Sequence, residues 1–359
     1  MNVSVNILVW NDYRYLPDLF ASLAAQTYKD ITIRVLDNGS TDGTVEYLQE
    51  HHPQYLIARN VRNRGFAPGH NQLMRVAMER WRNTEQLAGG QAGAAGLADK
   101  AILLTNADLI LHERVIENLV SALRSDPKLG AVQPKLYRAF ANVTTEDGLE
   151  HNVKSDVLDS TGLALNKNWR LEDRGAGLVD KGQYDSATDL IGPCGALAMF
   201  RASALADVAY GDEYLDEDFF AYREDCDLAL RLRRAGWTTR FVPTATAHHY
   251  RGMYGAEKRG LLDRWRDRRK QRPFPAAMST RNQLFFLLKN LTCGDVLRFG
   301  PWIASSEALR CGYGLLAEPE TRRALLAAPR LVPKMLKKRA HALTTRREEA
   351  SVIRAYVRS

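Results

Sequence analysis

The chain has 359 residues, 45% of them hydrophobic and 26% charged, a balance that excludes a disordered or fibrous chain and suffices for a substantial core. Its net charge of +8 is concentrated at one end: from Thr321 to Ser359, eleven Lys and Arg stand against two Glu, and the rest is near neutral. No run reaches the ~18 apolar residues that span a bilayer, so a membrane-crossing segment is excluded.

The start, MNVSVNILVWNDY, has no basic leader and meets Asp12 before a signal core can form. Val3 to Val9 is rich in β-branched residues and predicts a buried strand. Tyr15 to Tyr28 predicts a helix on the stripe of Leu16, Leu19 and Leu23. Ile31 to Leu36 predicts a second strand, followed by a helix through Val45 and Leu48 that Ser40, Thr41 and Asp42 can cap. Tyr55 to Arg59 predicts a third strand, with a helix from Gly69 to Trp81. Thr84 to Asp99 has no period and reads as a surface insertion. Ala101 to Thr105 predicts a fourth strand. Strands alternating with helices imply an α/β fold with a mostly parallel sheet and right-handed crossovers. The four cysteines form no CxxC pair and read as reduced thiols of a cytoplasmic protein.

Ligands of such sheets bind beyond the carboxyl ends of the strands. Asn11 follows the first strand, Asp37 and Asn38 the second, the loop from Asn63 to Asn71 the third, and Asn106 and Asp108 the fourth. Four polar clusters therefore meet at one edge. The segment VLDNGSTDGT places Asp37 where a carboxylate can accept a ring N–H of uracil or thymine. A plain capped turn also explains Ser40 to Gly43, but does not require Asp37 and Asn38.

DNGSTDGT after a hydrophobic strand resembles the signature of family 2 glycosyltransferases. Asn63, Gly65, Phe66, Gly69 and Asn71 resemble the N-x-G-F-x-x-G-x-N pattern of rhamnosyltransferase-like members. Thr105 to Leu109, TNADL, takes the place of the family's D-x-D or N-x-D metal motif, with Asn106 where many relatives have Asp. Only Asp108 is then a charged ligand; Asn106 can alternatively cap a following helix. Asp185 to Arg201 resembles the G-x-x-x-x-x-R stretch of the sugar and acceptor pocket. Tyr214 to Trp237 (YLDEDFFAYREDCDLALRLRRAGW) resembles the family's acidic block over almost its whole length. Arg281-Asn282 resembles the family's R-N helix, and the likeness covers roughly residues 3 to 290.

The resemblance implies a GT-A fold: a Rossmann-like, mixed but mainly parallel sheet flanked by helices. Its expected extent is residues 1–290, with a nucleotide-binding half (1–110) and an acceptor and catalytic half (111–290). A basic helical C-terminal extension (291–359) completes the chain. It implies Asp225 as catalytic base with Glu224 beside it, while Asp227 supports the fold. Asn11, Asp37, Asn38, Asn63, Gly65, Phe66, Asn71, Asn106 and Asp108 would hold the donor. Asp108 and His249 would hold a divalent metal, Mg or Mn. His248, next to the family position, is the weaker metal candidate.

The implied activity is inverting transfer from a UDP- or dTDP-sugar, first dTDP-L-rhamnose, to a hydroxyl of a surface-glycan or lipid-linked acceptor of a bacterial cell envelope. Arg251 to Pro275, basic and broken by Gly and Pro, reads as a loop over the site or a plain exposed loop. The basic tail suits either a solvated helical face or contact with anionic lipid at the inner face of the membrane. No helix-turn-helix, zinc-finger or RNP-type pattern accompanies the charge, which argues against nucleic acid. Two rival readings stand beside this. A sugar-1-phosphate nucleotidyltransferase needs a Gly-rich loop after the first strand, where this chain has WNDYRYLP. A non-catalytic nucleotide-sugar-binding protein is kept in play by Asn106.

Overall fold

A computed structural model describes residues 1–87, 94–97, 99–144, 150–250 and 273–358. Strand β1 (Asn2–Val9) lies in the middle of a 10-stranded sheet. Its odd positions, Val3, Val5, Ile7 and Val9, enter one apolar core. Its even face carries Ser4 and Asn6, which hydrogen-bond each other at 2.6 Å. Helix α1 (Leu16–Ala24) ends sooner than the apolar stripe predicts. Gln26 leaves the helix because its buried carboxamide donates to the carbonyls of Ser22 and His112.

Next come β2 (Ile31–Asp37), α2 (Thr44–His51), β3 (Leu56–Arg59) and α3 (Phe66–Leu87). Helix α3 begins three residues before Gly69, so Phe66 to Asn71 form its first turns rather than a loop. Pro68 is tolerated there because first-turn N–H groups have no helical partner. Gly69 lets the helix lie on β1, since a Cβ would stand 2.6 Å from the Leu8 side chain. Of the expected insertion, Thr84 to Leu87 continue the helix and Leu97 is buried against it. Residues 88–93 and 98 lie outside the described residues.

The sheet continues with β4 (Lys100–Asn106) and β5 (Leu109–Leu111). Helix α4 (Val115–Ser125) leads to β6 (Leu129–Thr144), β7 (Glu150–Ser160), β8 (Leu163–Leu165), β9 (Leu171–Asp173) and β10 (Asp189–Leu190). Then follow β11 (Leu197–Arg201), α5 (Ala202–Asp207), α6 (Glu224–Arg234) and β12 (Thr238–His249). The strand order is β10-β12-β6-β11-β4-β1-β2-β3, with β5 also on β12 and β7 on β6. Strands β3, β2, β1, β4, β6 and β12 run one way, and β11 runs against its neighbours β4 and β6. The sheet is thus mixed but mainly parallel. The ends of these parallel strands, including the His249 end of β12, share one edge.

Four helices follow residues 251–272, which lie outside the described residues together with most of the expected loop from Arg251 to Pro275. They are α7 (Pro273–Asn290), α8 (Cys293–Ala317), α9 (Pro319–Ala327) and α10 (Val332–Thr344), with a short α11 (Ala350–Arg354) last. A third core crosses residue 290: Phe285 and Phe286 pack with Trp169, Phe299, Ile303, Met335 and Ile353.

Part of the positive charge of the C-terminal helices is paired with acids of the preceding domain. Lys338 is buried and its ammonium lies 2.6 Å from Glu213, 2.5 Å from Asp216 and 2.7 Å from Asp218. Lys289 bridges Asp216 and Asp227 at 2.5 and 2.9 Å. Burial alone would raise the Asp227 pKa, but Lys289 and Arg231 outweigh it and hold the carboxyl well below the usual range. Arg347 pairs with Asp207 at 2.6 Å. The extension is therefore keyed to the acidic block by buried ion pairs. Lys338→Ala removes the cation of Glu213 and leaves Asp216 with Lys289 and Asp218 with Lys334, and is expected to cost about 3–5 kcal/mol, read by denaturant unfolding. A loss below about 1 kcal/mol would show that the hub is not structural.

Candidate active site

The site is built on the shared edge of strand ends. Register pairs Val9 with Asp37 and Leu8 with Asn106, which sets the first, second and fourth polar clusters side by side. Asn11 has a left-handed backbone (φ 57°). Its carboxamide oxygen accepts from Thr41 N–H at 2.8 Å, and its own N–H donates to Ser40 Oγ at 2.9 Å. It ties the first loop to the DNGSTDG loop. Asp37 is fully buried. One of its oxygens accepts from Ser40 N–H at 2.9 Å, and the other faces Arg59 Nε at 3.1 Å without hydrogen-bond alignment.

Asn38 staples the next loop. Its amide donates to Asn63 Oδ1 and the Gly65 carbonyl, and its oxygen accepts from Asn60 and from Arg64 N–H. Asn63 Oδ1 also accepts from Gly65 N–H at 2.8 Å. Gly65 sits at φ 99°, and a Cβ there would lie 2.6 Å from the Phe220 carbonyl. Phe66 packs edge-on against His70. Asn71 is fully buried, its amide on the Leu215 carbonyl and Glu217. Asn38, Asn63 and Asn71 thus have their side chains taken up in shaping the loops around Gly65.

Asn106 does not cap a helix. The chain passes through Asp108 straight into β5, and α4 starts only at Val115. Pairing of β5 with β12 sets Leu109 opposite His249, and Tyr250 N–H donates to the Asp108 carbonyl at 2.9 Å. The same register brings His249 Nε2 within 3.1 Å of Asp108 Oδ1. His249 Nδ1 lies 2.8 Å from Asp159 on β7. Burial would depress the His249 pKa, but Asp108 and Asp159 outweigh it and push it up to about 10. The pair therefore favours positive charge at Nε2. An imidazole fixed by a carboxylate behind it, beside a second carboxylate, fits a divalent metal.

Strand alternation turns His248 to the other face, where it stacks on Tyr137 at 5.4 Å and burial lowers its pKa to about 4. Among the described residues, Glu213, Asp216 and Asp218 bring three carboxylates together. That cluster already surrounds the Lys338 ammonium and does not fit a metal.

Two acids of this edge escaped the sequence reading. Asp12, with Asp108 and Asp42 nearby, has its pKa raised to about 7, chiefly by burial. Asp159 is fully buried, but its strand EHNVKSDVLDS is polar and holds two other acids, Glu150 and Asp156, so the sequence did not set it apart. Asp159→Asn is expected to weaken Mn²⁺ binding about 10–100-fold by freeing the His249 ring. Titration of Mn²⁺ by electron paramagnetic resonance reads this without turnover, and unchanged affinity would remove Asp159 from the site.

The acidic block supplies the second half. Phe220, Tyr222 and Arg223 all have left-handed backbone (φ 64°, 73° and 77°) just ahead of α6. Asn282 of α7 holds this strained segment, donating to the carbonyls of Phe219, Ala221 and Tyr222 at 2.7–2.8 Å. Asp225 then opens α6 with Oδ1 on Cys226 N–H at 2.7 Å and Oδ2 on Gly195 N–H at 3.1 Å. Burial raises the Asp225 pKa. Glu224, buried beside it with one oxygen lacking a hydrogen bond, is raised to about 8 by burial and by Asp225. Gly195 and Ala196 join the two halves: Gly195 N–H holds Asp225, while the Ala196 carbonyl accepts from Asn106 N–H at 3.0 Å. At the other end of that stretch, Arg201 donates to the carbonyls of Leu123, Asp126 and Leu129 instead of reaching the site.

The family model for glycosyl transferase family 2 matches residues 4–208. An N-acetylglucosaminyl-diphospho-decaprenol L-rhamnosyltransferase of Mycobacterium tuberculosis is 26% identical over 239 residues, covering 66% of this chain and 72% of that protein. The structure of GalNAc-T7 with UDP, GalNAc and Mn²⁺ aligns at TM-score 0.50 and 12% identity, covering 89% of this chain and 58% of that one. S. aureus TarS aligns at TM-score 0.48 and 13% identity, over 96% of this chain but only 54% of that one. With more than half of its length matched and the GT-A architecture in place, the chain belongs to glycosyltransferase family 2 and is a glycosyltransferase.

Proposed function

We propose that the protein transfers a deoxyhexose, first L-rhamnose from dTDP-L-rhamnose, to a sugar hydroxyl of a diphosphate-lipid-linked acceptor, with inversion. The observation that carries this reading is the Gly195-Ala196 link. It sets a buried carboxylate with a raised pKa beside the strand-end loops that receive a nucleotide. The rhamnosyltransferase of M. tuberculosis supports the donor and acceptor classes by its name.

Asp225 accepts the proton of the acceptor hydroxyl as that oxygen bonds to the anomeric carbon. The bond from the anomeric carbon to the diphosphate oxygen breaks, and the nucleoside diphosphate leaves. Asp108 and His249 would hold a Mg²⁺ or Mn²⁺ ion, which when bound supplies positive charge beside the leaving diphosphate. Asn11, Asn38, Asn63 and Asn71 shape the donor loops, and Asn106 fixes the strand end. Gly65 admits the close approach of Phe220, which would hold the donor loop and Phe66 beside the acidic block. Asp37 would accept a ring N–H of a pyrimidine base. Glu224 keeps a second, protonated carboxyl beside the acceptor.

A panel of dTDP-, UDP- and GDP-sugars with a synthetic GlcNAc-diphosphate-lipid tests the reading. Nucleotide release from dTDP-L-rhamnose, dependent on acceptor, is expected. Release from a GDP-sugar alone would overturn the pyrimidine assignment.

A further inference from the structure

Helix α8 is inverted relative to an ordinary surface helix. Its charged side chains Asp295, Glu307 and Arg310 are buried, with Arg310 on Glu307 at 3.2 Å. Its exposed face carries Leu297 and Leu316 at 86% exposure, Leu309 at 65% and Trp302 at 50%. Arg298 is the sole charged residue on that face. From Leu297 to Leu316 the ridge runs ~28 Å along the helix. No described helix is long and apolar enough to cross a membrane, so the ridge does not belong to a spanning segment.

We infer that α8 lies in the interfacial plane of an anionic bilayer with this face in the acyl boundary. Leu297 and Leu316 project almost wholly, which suits a fluid apolar phase that needs no matching shape. Arg298 near the start of the helix, and the exposed Arg322 and Arg330 in the segment that follows it, suit anionic headgroups. The contact is apolar and sits on α8, whereas Lys338 of the tail is engaged inside the protein. This surface deepens the lipid-linked acceptor reading and rests on it, because such an acceptor is presented at a bilayer.

Flotation of the full chain with phosphatidylcholine vesicles, with and without phosphatidylglycerol, tests it against Leu297→Ser/Leu309→Ser/Leu316→Ser. All three side chains are exposed, so unfolding temperature and donor turnover on a water-soluble acceptor stay unchanged. The wild type is expected to float with phosphatidylglycerol vesicles, and the triple variant to bind about 100-fold more weakly. Equal binding by both, or no binding by the wild type, overturns the inference. A wild-type dimer that the triple variant turns to monomer, with vesicle binding unchanged, assigns the face to a second copy instead. Failure of flotation with turnover intact removes only the membrane surface. Loss of turnover on the soluble acceptor by the wild type strikes the transfer reading itself.

Discussion

Asp225→Asn lowers the transfer rate about 10²–10⁴-fold while donor affinity stays within a few-fold. The amide keeps the shape and can still face Gly195 N–H, but it cannot take the acceptor's proton. The carboxylate is held by two backbone N–H groups, from Gly195 and Cys226, at the mouth of α6. Those bonds stabilise the charged form, yet burial outweighs them and the pKa is raised. A base works deprotonated, so kcat/KM falls as pH falls. Because the pKa is raised, that fall begins above the ordinary carboxylate value of ~4. With Glu224 at about 8 beside it, the two acids titrate as a pair, and the acid limb reports both. In Asp225→Asn the limb disappears with the rate. A variant retaining more than a tenth of the wild-type rate would assign the base elsewhere.

His249→Ala removes metal-stimulated turnover, with a loss of about 10²–10³-fold. The imidazole lies beside Asp108, and Asp159 fixes its orientation. Asp108→Asn follows the same course, since Asn106 leaves this motif a single charged ligand. Mn²⁺ titration followed by electron paramagnetic resonance reads the binding loss directly. If both variants bind Mn²⁺ as the wild type does, the metal lies elsewhere. If the wild type turns over equally in EDTA, the leaving diphosphate is neutralised by side chains.

The strand ends were legible because apolar runs at β1, β2 and β4 stop at polar residues, and the parallel-sheet rule places those residues together. The acidic block was legible because its spacing repeats a known pattern over two dozen residues. What could not be read depends on pairing between distant segments. Asp159 meets His249 across 90 residues, and only the β6–β7 and β6–β12 registers bring them together. Lys338 meets Asp216 across 122 residues, so the tail looked like free charge. Asn282 meets the strained segment after Phe219 in the same way. The Gly65 to Asn71 stretch misled because Gly and Pro suggest a loop, although Pro68 falls in a first helical turn and Gly69 is needed for contact with Leu8.

The most direct measurement is the anomeric configuration of the product formed from dTDP-L-rhamnose and a GlcNAc-diphosphate-lipid, read by the one-bond carbon–proton coupling at the new linkage. One displacement by an acceptor deprotonated at Asp225 gives the configuration opposite to the donor's. Retention of the donor's configuration would contradict the account, since it would require two displacements or front-side attack and leave Asp225 without the role assigned to it.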